Sequence, residues 1–499
     1  MSALETNNLV GNNSEGNSLE DYFKPVREQI IGSNLEYAGN RMIYADWTAS
    51  GRLYAPIENF ISNKIGPLVA NTHTEASYSG CAMTKLYHQA QIAIKQHVNA
   101  NEDDVLICAG AGMTAVINKF QRILGLRVPE KWADRFTIKE SEKPVVFITH
   151  MEHHSNQTSW YECAVTLIVI PENSEGMPDT NALEELLVEY KDRPMKIGSF
   201  TACSNVTGIK TDYRQFAKIM HQHGGFCFMD FAASAPYVEI DMHPQDPLES
   251  LDAIMFSPHK FLGGPGSSGV LIFNKELYHN KIPDHPGGGT VTWTNPWGEH
   301  HFFDDIEIRE DGGTPGFLQT IRTALAVQLK EAMGTDKIHQ REEELVDLLC
   351  NELSKIPQVN VLHSSNKSRL CMISFYVIEI HFNLIVRILS DRFGIQTRGG
   401  CSCAGTYGHI LLGVDQDTSC TITNMIDEGD LSLKPGWVRI SLHPTTTDDD
   451  ARFIAHSINA IIENIDQWKN DYAFDSSQGD FVPKVENQPA LALTDFEPI

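Results

Sequence analysis

Strands and helices alternate along the first two thirds of the chain, and this predicts an α/β protein with a mostly parallel sheet between layers of helices. Short apolar runs are the first sign. Val105 to Cys108, Pro144 to Thr149, Ala164 to Ile170, Lys196 to Cys203, Gly225 to Asp230 and Ala253 to Phe256 each read as a buried strand. The second sign is apolar residues at helical spacing between them, over Ala115 to Leu124, Asn181 to Tyr190 and Asp212 to His223. A change of character near Thr314 is the third. Beyond it two long helices, Gln319 to Ala332 and Ile338 to Leu353, lead into what reads as a smaller α+β domain.

In chain order, residues 1–21 are rich in Asn, Ser and Glu and read as a disordered tail. They lack the basic and apolar regions of a signal peptide. A large domain is expected over residues 22–318. It opens with an amphipathic helix, Tyr22 to Ile31, and a short strand, Arg41 to Asp46. The polar loop from Ala70 to Ala76, which contains His73, comes before a helix over Lys85 to Val98. The smaller domain, residues 319–471, should contain strands Val359 to His363, Leu370 to Tyr376 and Gly436 to Ser441. Helices near Asn383 to Phe393 and over Asp448 to Trp468 complete it. Residues 472–499 show no periodic apolar pattern and read as a second tail.

Composition narrows the function. A net charge of −26 argues against nucleic acid and anionic membrane surfaces, which are bound by clustered Lys and Arg. No apolar run approaches the roughly 20 residues that span a bilayer. Ten cysteines without regular spacing suit reduced thiols in a cytoplasm rather than a disulfide framework. Cys401 and Cys403 offer two metal ligands without a matching pair nearby, so no metal is expected.

Chemistry concentrates where strands end. Ser257-Pro258-His259-Lys260 follows the run Ala253 to Phe256 and precedes a Gly/Pro cluster, so the lysine sits at a tight turn. An amine held against apolar walls loses pKa and can act as nucleophile or base. His153, Asn205 and Asp230 also fall just beyond predicted strands, and in parallel sheets ligands bind beyond the carboxyl ends. Ala109-Gly110-Ala111-Gly112-Met113-Thr114 is a Gly-rich strand-to-helix turn, a natural anion cradle, though such turns also serve close packing.

Taken together, these motifs resemble the class V, fold type I, pyridoxal-phosphate enzymes, and within them the cysteine desulfurase and selenocysteine lyase branch. The resemblance spans roughly residues 40 to 470. It rests on Ala70-Asn71-Thr72-His73, Gly112-Met113-Thr114, Met151 to Asn156, Ser204 to Gly208, Asp230, Ser257 to Lys260, Gly312 to Pro315, Arg398 to Cys403 and Val438 to Ser441. It implies that Lys260 holds pyridoxal 5'-phosphate through its amine and moves the substrate's Cα proton, and that Asp230 pairs with the pyridine nitrogen. His153 would stack on the ring and Asn205 would bond its hydroxyl. Met113, Thr114, Ser257 and His259 would hold the phosphate, with Thr314 reaching it from a second subunit of a homodimer. Arg439, helped by Arg398, would take the substrate carboxylate, and His73 or His153 would carry protons. Cys403, five residues beyond Arg398, would accept the sulfur of L-cysteine as a persulfide and leave alanine.

The chain departs from that pattern. Ala233 stands where a ring-binding glutamine is usual, and Phe231 replaces a small residue. Insertions at 292–311 and 409–435 flank the expected site, and the sulfur acceptor, a protein or otherwise, is open. The same residues would also suit an aminotransferase, lyase or epimerase of this class, or an inactive relative that only binds.

Overall fold

The computed structural model describes residues 18–485, apart from residues 38 and 73, together with residues 492–496. Its centre is a seven-stranded sheet of β1 (Asp104–Ala109), β2 (Val145–Thr149), β3 (Thr166–Ile170), β4 (Lys196–Thr201), β5 (Phe226–Asp230), β6 (Ala253–Phe256) and β7 (Gly269–Asn274). The order is β1-β7-β6-β5-β4-β2-β3. Neighbours from β3 across to β6 are parallel, whereas β7 runs antiparallel to both β6 and β1. The reversal follows from the connection. Residues 257–268 hold only the 3-10 turn Pro258–Lys260, with no crossover helix to carry the chain back for parallel pairing.

Both faces of the sheet are apolar. Leu106, Phe147, Phe200, Met229 and Ile254 pack on one side with the helices Tyr78–His97 and Phe317–Met333. Ile107, Val146, Ile148, Phe228 and Met255 pack on the other with the helix Met113–Ile123 and Trp160. Successive side chains alternate between two cores, which is why the strands read as unbroken hydrophobic runs.

A second, antiparallel sheet has the order β8 (Val359–Val361), β9 (Met372–Val377), β11 (Trp437–Ser441), β10 (Arg398–Gly400). Helices Thr335–Ser354, Phe382–Phe393 and Asp448–Trp468 cover it. No helix of the described residues is long and apolar enough to cross a membrane.

Three expected boundaries shift. The N-terminal tail was expected through residue 21, but a helix begins at Leu19, where the Ser18 hydroxyl accepts the Asp21 amide; residues 1–17 lie outside the described residues. Ile43 and Ala45, expected in the large domain, join the core of the small sheet, where Ile43-Tyr44 pairs with Ile395-Gln396. The tail expected from Tyr472 instead forms a hairpin, Tyr472–Asp475 with Asp480–Pro483. Phe474 and Phe481 pair across it with ring centroids 4.9 Å apart, and Gly479 turns the chain at φ +64. The insertions are ordered too: a hairpin (Val291–Thr294, His300–Phe302) with the helix Ile306–Glu310, and the helix Gln416–Asp427.

Candidate active site

The carboxyl ends of β1, β2, β4, β5 and β6 open onto one cavity of about 820 Å3. His153, Asn205, Asp230 and Lys260 all line it, as do Met113, Thr114, Ser257, His259, Arg398 and Arg439. The topology explains the convergence: β1 and β6 both run antiparallel to β7 and therefore end at the same edge as the parallel strands.

Lys260 closes the 3-10 turn after β6 and is half-buried. Gly51 locks this turn by donating its amide to the His259 carbonyl at 2.8 Å. A Cβ at Gly51 would fall 1.9 Å from the Phe261 carbonyl oxygen, so only glycine fits. Loss of water lowers the Lys260 amine to about 8, with Asp230 opposing and Arg439 and Arg398 adding to the fall. Burial pushes Asp230 up to about 6, against the Ala232 amide on its Oδ1 at 2.7 Å and the charge of Lys260. Near pH 7 the pair is thus mainly carboxylate and ammonium, with a neutral-amine fraction of about a tenth.

Helix Met113–Ile123 starts at Gly112 without a side-chain cap. Its Met113 amide donates to Ser257 Oγ at 2.8 Å, and His259 Nδ1 donates to the Ala111 carbonyl at 2.8 Å. A Cβ on Gly112 would lie 2.8 Å from His259 Cε1 and 3.1 Å from Ser257 Oγ. Bare amides, a helix N-terminus and two polar side chains make a cradle for an anion. Thr114 borders it, its hydroxyl 2.6 Å from that of Ser155.

His153 Nδ1 accepts the Ser155 amide at 3.1 Å, which leaves the proton on Nε2. Burial first, then the charge of Lys260, hold the ring at about 3, so it is neutral at physiological pH. Asn205 Nδ2 donates to the Ser402 carbonyl at 2.6 Å, and its buried Oδ1 has no partner. Arg439, 1% exposed, donates to the Asn205 carbonyl at 2.9 Å and to Asp46 Oδ1 at 2.7 Å. Each Nη therefore has one partner, while its buried Nε has none. Arg398, with no carboxylate partner among the described residues, is the freer cation on the cavity wall.

The remaining expected residues lie elsewhere. Cys403 is 3.6 Å from Arg398 Nη2, but it lines a neighbouring cavity of about 330 Å3 rather than the main one. Thr314 is exposed beside Gly288, Val291 and Ile308, away from its own chain's main cavity. His73 lies outside the described residues. Ala233 lines the main cavity and brings no polar atom to it.

Sequence reasoning missed two features. Glu152, buried and pushed up to about 7 by desolvation, ties strand ends together by accepting Thr149 Oγ1 at 2.6 Å, the Thr201 amide at 2.9 Å and Asn156 Nδ2 at 2.8 Å. An acid between Met151 and His153, just past a buried strand, was the available signal. The other is a charged cluster bordering the cavity: Lys119 meets Glu310 at 2.7 Å and Arg122 grips Asp284 at 2.7 and 2.9 Å. Partners 162 and 191 positions apart leave no local signal.

Known proteins resemble the chain in sequence and in fold. A probable cysteine desulfurase of Staphylococcus aureus (strain COL) is 28% identical over 384 residues, 76% of this chain and 86% of its own. One from Staphylococcus epidermidis (strain ATCC 12228 / FDA PCI 1200) is 29% identical over the same shares. Among solved structures, the apo cysteine desulfurase of Thermococcus onnurineus NA1 superposes with a TM-score of 0.70 at 21% identity, covering 88% of this chain and 98% of that one. The cysteine desulfurase CsdA of Escherichia coli gives 0.67 at 21%, covering 90% and 99%. The aminotransferase class-V family model matches residues 43–453, a span that runs from the short strand at Ile43 into the last long helix and takes in every strand bordering the cavity. The chain belongs to the class-V aminotransferase family.

Proposed function

We propose that the protein is a pyridoxal-phosphate-dependent cysteine desulfurase, which takes sulfur from L-cysteine onto Cys403 and releases alanine. One observation carries the reading: a lysine lowered to about 8, a buried aspartate and an uncapped helix N-terminus share a single cavity. The residues fit the cofactor. Gly112, Met113, Ser257 and His259 form a phosphate cradle that a Cβ would fill, Asp230 suits a protonated ring nitrogen, and the unpartnered Asn205 Oδ1 suits a ring hydroxyl. When bound, pyridoxal phosphate supplies an electron sink for the pair left at the substrate's Cα.

The chain's own groups do the rest. Lys260 Nζ, with a neutral fraction at pH 7, accepts the Cα proton. Asp230 keeps its charge partner protonated because burial denies it water as an alternative. His153 offers a neutral ring face and an Nε2–H, not a base. Arg398 is the available anchor for the substrate carboxylate, with Arg439 ordering the wall behind it. Cys403 attacks the substrate sulfur, with Arg398 Nη2 lying 3.6 Å from its Sγ.

The reading extends to a homodimer in which Thr314 of one subunit serves the other's phosphate, supported by the exposure of Thr314 away from its own cavity. Ten free thiols suit the reducing cytoplasm. The test is incubation with L-cysteine, assaying alanine and protein-bound sulfur together; equal yields support the reading, and pyruvate or an amino-acid exchange without sulfur transfer rejects it. A second class-V reaction, such as transamination, is favoured by one observation, that Cys403 borders the neighbouring cavity. In Cys403→Ser, transamination survives while desulfuration does not.

A further inference from the structure

Arg398 to Cys403 forms a strap between two cavities. Arg398 and Ser402 line both, whereas Cys403 lines only the smaller. We propose that the smaller cavity receives a low-molecular-weight thiol bearing a negative charge, which takes the sulfur from Cys403. This rests on the desulfurase reading and names its acceptor.

Charge comes first. In a chain of net charge −26, the charged side chains lining this cavity are Arg398 and Lys434, and no Asp or Glu lines it. Ser402, which borders both cavities, is only 4% exposed and has a buried Oγ without a hydrogen bond. Unpaired buried hydroxyls are costly unless something fills the space beside them.

Size and access come second. A volume of about 330 Å3 lies at the small end of small-molecule sites, which span roughly 300–1,000 Å3. The roof is built by the 409–435 insertion and the C-terminal hairpin, joined where the Leu431 amide meets the Ser476 carbonyl at 2.8 Å. Asn383 Nδ2 holds the hairpin turn through the Gly479 carbonyl at 2.7 Å. Lys434 and Gln478, both exposed, border the cavity. A space of this volume suits a few-atom thiol.

Conformation comes third. Ser402 and Cys403 are consecutive non-glycine residues at φ +53 and +59. Left-handed backbone at such residues is strained and gathers at functional turns. The acceptor step balances without a further reagent. The acceptor thiolate attacks the outer sulfur of the Cys403 persulfide, a new S–S bond forms on the acceptor, and the old one breaks. Its electron pair leaves on Cys403 Sγ as a thiolate beside Arg398 Nη2.

The experiment uses the cofactor-loaded enzyme with L-cysteine and three probes: 3-mercaptopropionate (anionic), 2-mercaptoethanol (neutral) and cysteamine (cationic). Persulfide product is read by cyanolysis and alanine by chromatography. The KM for 3-mercaptopropionate should be lower than that for 2-mercaptoethanol by about five-fold, the size of one partly exposed charge contact. Lys434→Glu should reverse the order in favour of cysteamine. Equal KM values for the three thiols, an order untouched by Lys434→Glu, or turnover with none of them overturns the acceptor proposal while an alanine burst keeps the desulfurase reading intact. Absence of any alanine overturns both.

Discussion

The floor and the wall of the main cavity are built on opposite plans. Its floor is the edge of a sheet buried on both faces, where Asp230 and Glu152 lost enough water to sit at about 6 and 7. Its wall is the strap Arg398 to Cys403, half-exposed for most of its length and carrying two left-handed residues in succession. The floor can hold charge in fixed geometry because its strand ends are tied together through Glu152. By contrast, the strap is tied to the floor by the Asn205 bond to the Ser402 carbonyl and by the Cys403 carbonyl, which accepts the His154 amide at 2.8 Å. Under the desulfurase reading proposed above, proton and electron chemistry would fall to the floor and sulfur delivery to the strap.

Breaking the floor should have the largest effect. Lys260→Ala should lower alanine release from L-cysteine by at least about a thousand-fold, since no other amine takes its role; retention of a hundredth or more of the activity would remove Lys260 from the reaction. Breaking the strap should come next. Cys403→Ser should cut sulfur transfer by on the order of a hundred-fold, a hydroxyl staying protonated where a thiol ionises, while pyridoxal phosphate binding stays within about two-fold. If both fall together, floor and strap are not separable.

Two smaller effects sharpen the electrostatic side. Gly112→Ala should weaken pyridoxal phosphate binding by about ten-fold, because the added methyl must push His259 and Ser257 aside; fluorescence titration reads it. The rate at which stripped protein captures the cofactor should rise about ten-fold from pH 7 to 9 and level off, as an amine at about 8 loses its proton. An ordinary lysine would show about a hundred-fold rise without a plateau.

The smallest effect is on stability. Glu342 is buried behind the small sheet, and burial pushes it up to about 8. Its folded pKa is raised, so the stability it gives as a neutral acid is fully present below about 4.5 and lost as pH rises through 8. Glu342→Gln cannot ionise, so its melting temperature should exceed that of the wild type by about 2 °C at pH 9 and match it near pH 4. The opposite trend would show that Glu342 is held as a carboxylate.

Much of the floor was legible in the sequence. Lys260, Asp230, Asn205 and His153 each follow an apolar run, and a parallel sheet brings such ends to one edge. The long-range ion pairs around the cavity were not. Asp46 on Arg439 and Glu310 on Lys119 are joined across 393 and 191 positions. The C-terminal hairpin was hidden because its strands are four residues each, too short for periodicity to register.

The sequence by itself determined the two-sided hydrophobic sheet and the chemistry delivered to its edge, because side-chain period and turn residues are local properties of the chain. Only the tertiary structure decided which guanidinium is already engaged, that Cys403 borders a second cavity, and that the insertion and hairpin roof it. Those outcomes depend on desolvation and on contacts between distant segments, and neither exists until the core has closed.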